Sequence, residues 1–129
     1  MYTNYKLAET LYLWLPTNIT QKEKAATFDL DWTLVRPNKG TFPKNPKDNV
    51  IIDKRIDILK IYRDLNYNII IFTNQKLTKK ENLDFKLERL SNISTIFLLN
   101  NLDIIIFMAI EDDIYRKPNI GMWVDILLW

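Results

Sequence analysis

The sequence predicts an α/β fold on a parallel, Rossmann-like sheet. Three apolar runs carry that expectation, at 25–28, at 69–72 and around Ile104-Ile105-Ile106-Phe107, each of buried-strand length and each leading into a polar stretch. Between them, apolar residues recur every three to four positions, so strand and helix alternate as in βαβ units. With 129 residues, 47% of them apolar and only 2 glycines, the chain has the bulk for one core and not two. A single domain over 1–129 is expected, with an N-terminal strand and connector in 1–24 and the α/β core in 25–129.

The elements follow in order. Residues 10–15 read as a strand stopped by the turn Pro16-Thr17-Asn18, and 21–24 as a polar connector. Ala25-Ala26-Thr27-Phe28 reads as a buried strand ending at acids. Prolines at 37, 43 and 46 with Gly40 exclude a helix from 36–49 and predict a looped flap or hairpin, a length of loop that usually serves function. Ile56, Leu59, Ile61 and Leu65 mark an amphipathic helix over 53–65, with Asp53 near its start as a cap. Ile69-Ile70-Ile71-Phe72 is the second strand, ending at Thr73-Asn74-Gln75. A second helix is expected over 79–90, with Leu83, Leu87 and Leu90 on one side and charges on the other. Residues 91–101 fit either a continuation of that helix or a loop. The third strand lies within 102–110, a polar loop follows over 111–118, and 122–129 reads as the start of a third helix.

Composition narrows the chemistry. No cysteine or histidine is present, which removes disulfides, thiol nucleophiles, imidazole bases and thiolate or imidazole metal sites. Carboxylates, hydroxyls and cations remain, a set suited to magnesium and phosphate. The formal charge of +2 gives no general attraction to nucleic acid. The apolar run at 11–15 is too short to span a bilayer and has no cleavage site after it, so no membrane association is expected. An intracellular setting is anticipated: nucleus, cytoplasm or a viral replication compartment.

Three places stand out. In Asp29-Leu30-Asp31-Trp32-Thr33, acids two apart in an extended chain point to one side, beyond the carboxyl end of a strand. One can attack phosphorus while the other moves a proton, and Thr33 can fasten the loop. Two solvated acids would look the same. Thr73 and Asn74 offer a hydroxyl and backbone amides on the same edge, although a threonine there also suits a helix cap. Arg116-Lys117-Pro118 offers cations to offset phosphate charge, or else an exposed basic loop. The order decides: acid pair, hydroxyl and lysine each follow a successive buried strand.

These motifs, with Gly40-Thr41-Phe42-Pro43, Ile71-Phe72-Thr73-Asn74-Gln75 and the stretch from Tyr115-Arg116-Lys117-Pro118 to Gly121-Met122-Trp123, resemble the polynucleotide kinase 3'-phosphatase family of the haloacid dehalogenase superfamily. The likeness covers about 11–129. It implies a three-layer fold of the haloacid dehalogenase type, in which Asp29 is the nucleophile and a magnesium ligand. Asp31 would be the general acid/base and bind Mg2+ through its main-chain carbonyl. Thr73 and Lys117 would hold and neutralise the phosphate, with Thr33, Asn74 and Arg116 as further substrate contacts. The implied substrate is DNA with 3'-phosphate ends left by strand breakage, and repair proteins would be its partners.

Two departures bear on that reading. Trp32 stands where many members have glycine. The family's fourth motif, two aspartates that complete the magnesium site, lies beyond the segment at which this sequence stops. Asp112 and Asp113 come in the wrong order to replace it, and Asp125 falls in the expected last helix. An underligated metal site and a core lacking its C-terminal strands are therefore expected, with the Asp29 strand left at an edge. Two alternatives compete: an inactive remnant that binds DNA ends through Lys39, Lys44 and Lys47, and a sugar or histidinol phosphatase. The second is weakened because such relatives carry a cysteine-rich zinc loop. No Gly-x-x-x-x-Gly-Lys-Ser/Thr loop is present, so no kinase site is encoded in these residues.

Overall fold

The structure is a computed structural model and describes residues 1–113. Arg116, Lys117, Pro118, the Gly121-Met122-Trp123 block, Asp125 and the helix expected over 122–129 lie outside the described residues.

The elements run β1 (Tyr2–Ala8), β2 (Leu11–Pro16), β3 (Lys24–Phe28), β4 (Val35–Arg36), β5 (Val50–Ile51), α1 (Arg55–Asp64), β6 (Tyr67–Asn74), α2 (Leu83–Leu99) and β7 (Ile104–Ala109). The main sheet has the order β1-β2-β7-β6-β3. Its three core strands are parallel, with Phe28 opposite Ile71 and Thr73 opposite Met108, as the βαβ rhythm requires. The N-terminal strands form an antiparallel hairpin that extends this sheet on the far side of β7. Tyr2 ties the hairpin to the core: its hydroxyl donates to the carbonyl of Ile104 and accepts from the Ile104 amide at 2.9 Å.

Period-two alternation divides the sheet residues between two faces. Tyr12, Trp14, Ile69, Ile71, Ile104 and Ile106 pack with Leu59 of α1 and with Leu90, Ile93 and Phe97 of α2. Leu11, Leu13, Ile70, Phe72, Ile105 and Phe107 form a second cluster on the opposite face. Both helices cover the first face because both crossovers step in the same direction, from β3 to β6 and from β6 to β7.

Several local expectations need correction. The strand over 25–28 is not buried: β3 ends the sheet, pairs only with β6 among the described residues, and leaves Lys24, Ala25 and Thr27 exposed. Asp53 does not cap α1; Lys54 occupies the cap in a left-handed conformation with no side-chain bond. Ile61 and Leu65 are exposed, since they lie about half a turn around the helix from Ile56. Tyr62 points inward instead, edge-on to Phe28 and Tyr67 with centroids 5.5 and 5.4 Å away. The second helix begins at Leu83, with the Asn82 side chain accepting from the Phe85 amide, and continues through the ambiguous stretch to Leu99.

Candidate active site

The acids are placed by a tight loop. Leu30, fully buried, offers one carbonyl to the amides of Thr33, Leu34 and Val35 at 3.3, 2.9 and 3.1 Å, while the Trp32 amide reaches Val35 at 2.7 Å. Leu34 and Val35 are buried too, so the chain turns back on an apolar anchor and leaves Asp29 and Asp31 at the rim. The turn requires a positive φ of 61° at Trp32, whose side chain stays 55% exposed. That is the position where many family members carry glycine, the residue that adopts this conformation without strain. Arg55 fastens the loop from α1 through a 2.7 Å bond from Nε to the Thr33 carbonyl. Thr33 contributes main-chain contacts to the loop, its amide donating to the Leu30 carbonyl and its carbonyl accepting from Arg55.

Thr73 and Asn74 are the last residues of β6, not the first beyond it. In register with β3, they stand at the same carboxyl edge as Asp29. Gln75 makes the connection explicit: its Nε2 donates to Asp31 Oδ2 at 2.7 Å and to Thr73 Oγ1 at 2.8 Å. Acid and hydroxyl therefore share one partner at the rim of the parallel sheet. Asp29 is exposed, Asp31 half-buried and Thr73 buried.

Around this pair lies a cationic cluster that sequence reasoning missed. Lys86 and Arg89, both buried, project from α2. Lys86 Nζ bonds Gln75 Oε1 at 3.0 Å and Glu81 Oε1 at 2.9 Å. Arg89 grips both Asp31 carboxylate oxygens and also reaches Gln75 Oε1 at 3.1 Å. Burial alone would raise the Asp31 pKa, but the hydrogen bond and charge of Arg89, with help from Gln75 and Lys86, outweigh it and hold the carboxyl below the usual range. The signal was present: Leu90, Ile93 and Phe97 form the buried stripe of α2, and one turn upstream that stripe lands on Arg89 and Lys86. Of the three leucines expected inside, Leu90 is buried while Leu83 and Leu87 are only half-buried.

The flap over 36–49 is confirmed as a loop closed at its base by the β4–β5 pair. Asp48 organises it, accepting from the amides of Asn38 and Lys44 at 2.9 Å each; these bonds hold its carboxyl below the ordinary range. Lys39, Lys44 and Lys47 are exposed on it. A cleft of about 390 Å³ opens between the flap, at Thr41, Phe42 and Pro43, and the cluster of Asp31, Gln75 and Arg89. Larger hollows lie elsewhere, such as one of about 530 Å³ beside Lys22 and Asn66 at the other end of β3, away from both acids.

Hard oxygen donors suit magnesium, and the side chain of Asp31 is engaged by Arg89 and Gln75, which leaves its main-chain carbonyl as the donor it can offer beside the Asp29 carboxylate. Among the described residues no three acidic, cysteine or histidine side chains gather as a metal cage. Magnesium commonly keeps several waters, so a few protein oxygens can suffice to hold it.

Comparison with known proteins completes the picture. The model of the polynucleotide kinase 3 phosphatase family matches residues 24–128. The chain belongs to that family, within the haloacid dehalogenase superfamily. It is 29% identical over 126 residues to the bifunctional polynucleotide phosphatase/kinase of Schizosaccharomyces pombe, covering 92% of this chain and 29% of that protein. The chain spans less than two thirds of the curated relatives it matches, 62% of a viral protein and 29% of the yeast enzyme. The fold is similar to that of a HAD-like phosphatase from Mesorhizobium loti, with a TM-score of 0.78 and 14% identity over 96% of this chain and 66% of the other. It is also similar to D,D-heptose 1,7-bisphosphate phosphatase from B. bronchiseptica, solved with magnesium and phosphate, with a TM-score of 0.62 and 18% identity over 81% of this chain and 62% of that one. Among the described residues no helix is long and apolar enough to cross a membrane.

Proposed function

We propose that this family member hydrolyses 3'-phosphate ends of DNA to 3'-hydroxyls and acts on ends left by strand breakage. The observation that carries the reading is the single side chain, Gln75, that binds Asp31 and Thr73 together on the edge where Asp29 emerges. In the first step an Asp29 carboxylate oxygen forms a bond to phosphorus, the bond from phosphorus to the 3'-oxygen breaks, and Asp31 delivers to that oxygen the proton it gains in the second step, Arg89 favouring the ionised carboxylate left behind. In the second, Asp31 takes a proton from water as the water oxygen attacks phosphorus, which frees phosphate and restores Asp29. Asp29 and the Asp31 carbonyl would hold Mg2+, which supplies positive charge to the phosphoryl oxygens. The Thr73 hydroxyl, the Asn74 amide and Thr33 would orient the phosphate. Lys117 is assigned to charge neutralisation and Arg116 to substrate contact from the sequence resemblance alone.

The test is phosphate release from a 3'-phosphorylated oligonucleotide beside a panel of sugar and histidinol phosphates. Release confined to the oligonucleotide and abolished by Asp29→Asn supports the reading. Preference for the small phosphates overturns it. Salt-sensitive DNA binding without any hydrolysis would point to a remnant that only holds DNA ends.

A further inference from the structure

Arg89 is 2% exposed, yet its guanidinium contacts three segments that are distant in sequence. Nη2 and Nη1 take the two carboxylate oxygens of Asp31, the second at 3.3 Å; Nη1 also meets Gln75 Oε1, and Nε donates to Asn49 Oδ1 at 3.0 Å. Asn49 ends the flap, and its own amide is committed to the Pro46 carbonyl at 2.8 Å and to Asn92 Oδ1 at 2.9 Å. Four of the five guanidinium N–H groups of Arg89 are therefore directed at named acceptors. Leu90, Ile93 and Phe97 already dock α2 on the sheet, and desolvating a guanidinium is costly, so attachment of the helix does not call for this cation. Its planar fork does what no apolar residue can: it stops the Asp31 carboxylate from rotating and ties the foot of the flap to the same group.

We propose that Arg89 is the positioning residue of this site, orienting the Asp31 carboxylate and, through Asn49, setting the flap against it. The proposal rests on the reading of Asp31 as the proton-transferring group. Arg89 is assigned no contact with the phosphate; it acts through the Asp31 carboxylate that it holds.

The test uses the 129-residue chain with Arg89→Lys, Arg89→Ala and Asn49→Ala. One ammonium cannot reproduce three directed nitrogens, so Arg89→Lys should lower kcat on a 3'-phosphorylated oligonucleotide about 100-fold, the cost of a misplaced reacting group, with KM within about threefold. Asn49→Ala should lower kcat less, about tenfold, in the same direction. Guanidinium ion should restore part of the turnover of Arg89→Ala, and methylammonium should not. Wild-type kcat in Arg89→Lys, or a loss confined to KM, overturns the proposal. A second measurement needs no turnover: urea unfolding of Arg89→Ala, Asp31→Ala and the double variant. The double variant should be more stable than independent effects allow, by at least about fivefold in the unfolding constant. Independent effects would overturn the contact. If the unsubstituted chain releases no phosphate, the phosphatase reading fails and this cycle alone judges Arg89.

Discussion

Gln75→Leu is the perturbation that best probes how the site is assembled. The glutamine is 2% exposed and makes four side-chain hydrogen bonds: from Nε2 to Asp31 and Thr73, and to Oε1 from Lys86 and Arg89. Three of these partners are charged, and such bonds contribute about 1.5–3 kcal/mol each. The full sum is not lost, because Lys86 keeps Glu81 while Arg89 keeps Asp31 and Asn49. Burying leucine in nearly the same volume returns about 1–2 kcal/mol. The net loss should be about 2–4 kcal/mol, set by the charged groups left short of a partner. At about 2.1 cal/mol/K of unfolding entropy per residue, a chain of this length should lose about 7–15 °C in Tm. Circular dichroism melts and urea titrations read this directly. A variant within about 0.5 kcal/mol of the parent, the usual range for surface positions, would show that Gln75 does not bridge the acid to the cations.

Three further outcomes follow. The Asp31 pKa lies below its unfolded value of 3.8, so this carboxylate stabilises the fold fully above about pH 4, and that contribution is lost as pH falls through the folded value. Urea midpoints between pH 6 and 3 should thus fall more steeply for the parent than for Asp31→Asn, and parallel profiles would contradict the pairing. Asn66 ends α1 in a left-handed conformation at φ 68°, its amide bonded to the Arg63 carbonyl at 3.0 Å. Asn66→Ala should cost about 1 kcal/mol in urea unfolding, and Asn66→Gly should cost nothing or stabilise. Replacing Asp48 by Ala removes both amide contacts that shape the flap, and faster proteolysis between 36 and 49 with an unchanged core melt is the expected result.

What the sequence disclosed tracks how strongly each segment is buried. The runs at 69–72 and 104–107 became central parallel strands because little else suits consecutive isoleucines flanked by polar stretches. The proline-bearing flap was equally plain. Strand β1 escaped notice because Thr3, Asn4, Tyr5 and Lys6 are all exposed and carry no inward-facing period. The weak apolar character of 25–28 goes with its place at the end of the sheet among the described residues. At the site, Asp29 and Asp31 drew notice from their place after a strand, and Thr73 from the end of the next. Gln75, Lys86 and Arg89 did not, since charged residues on an amphipathic helix are ordinarily assigned to water. Here Lys86 and Arg89 continue the buried stripe of α2 because carboxylates and an amide oxygen await them.

The central claim, that these groups gather around one 3'-terminal phosphate, is tested most directly by a paired assay. Oligonucleotides phosphorylated at the 3' end or at the 5' end would be incubated with the chain, with magnesium and after chelation, and released phosphate measured. Release from the 3' end alone, dependent on magnesium, is predicted. Equal release from both ends, or undiminished release after chelation, would contradict it.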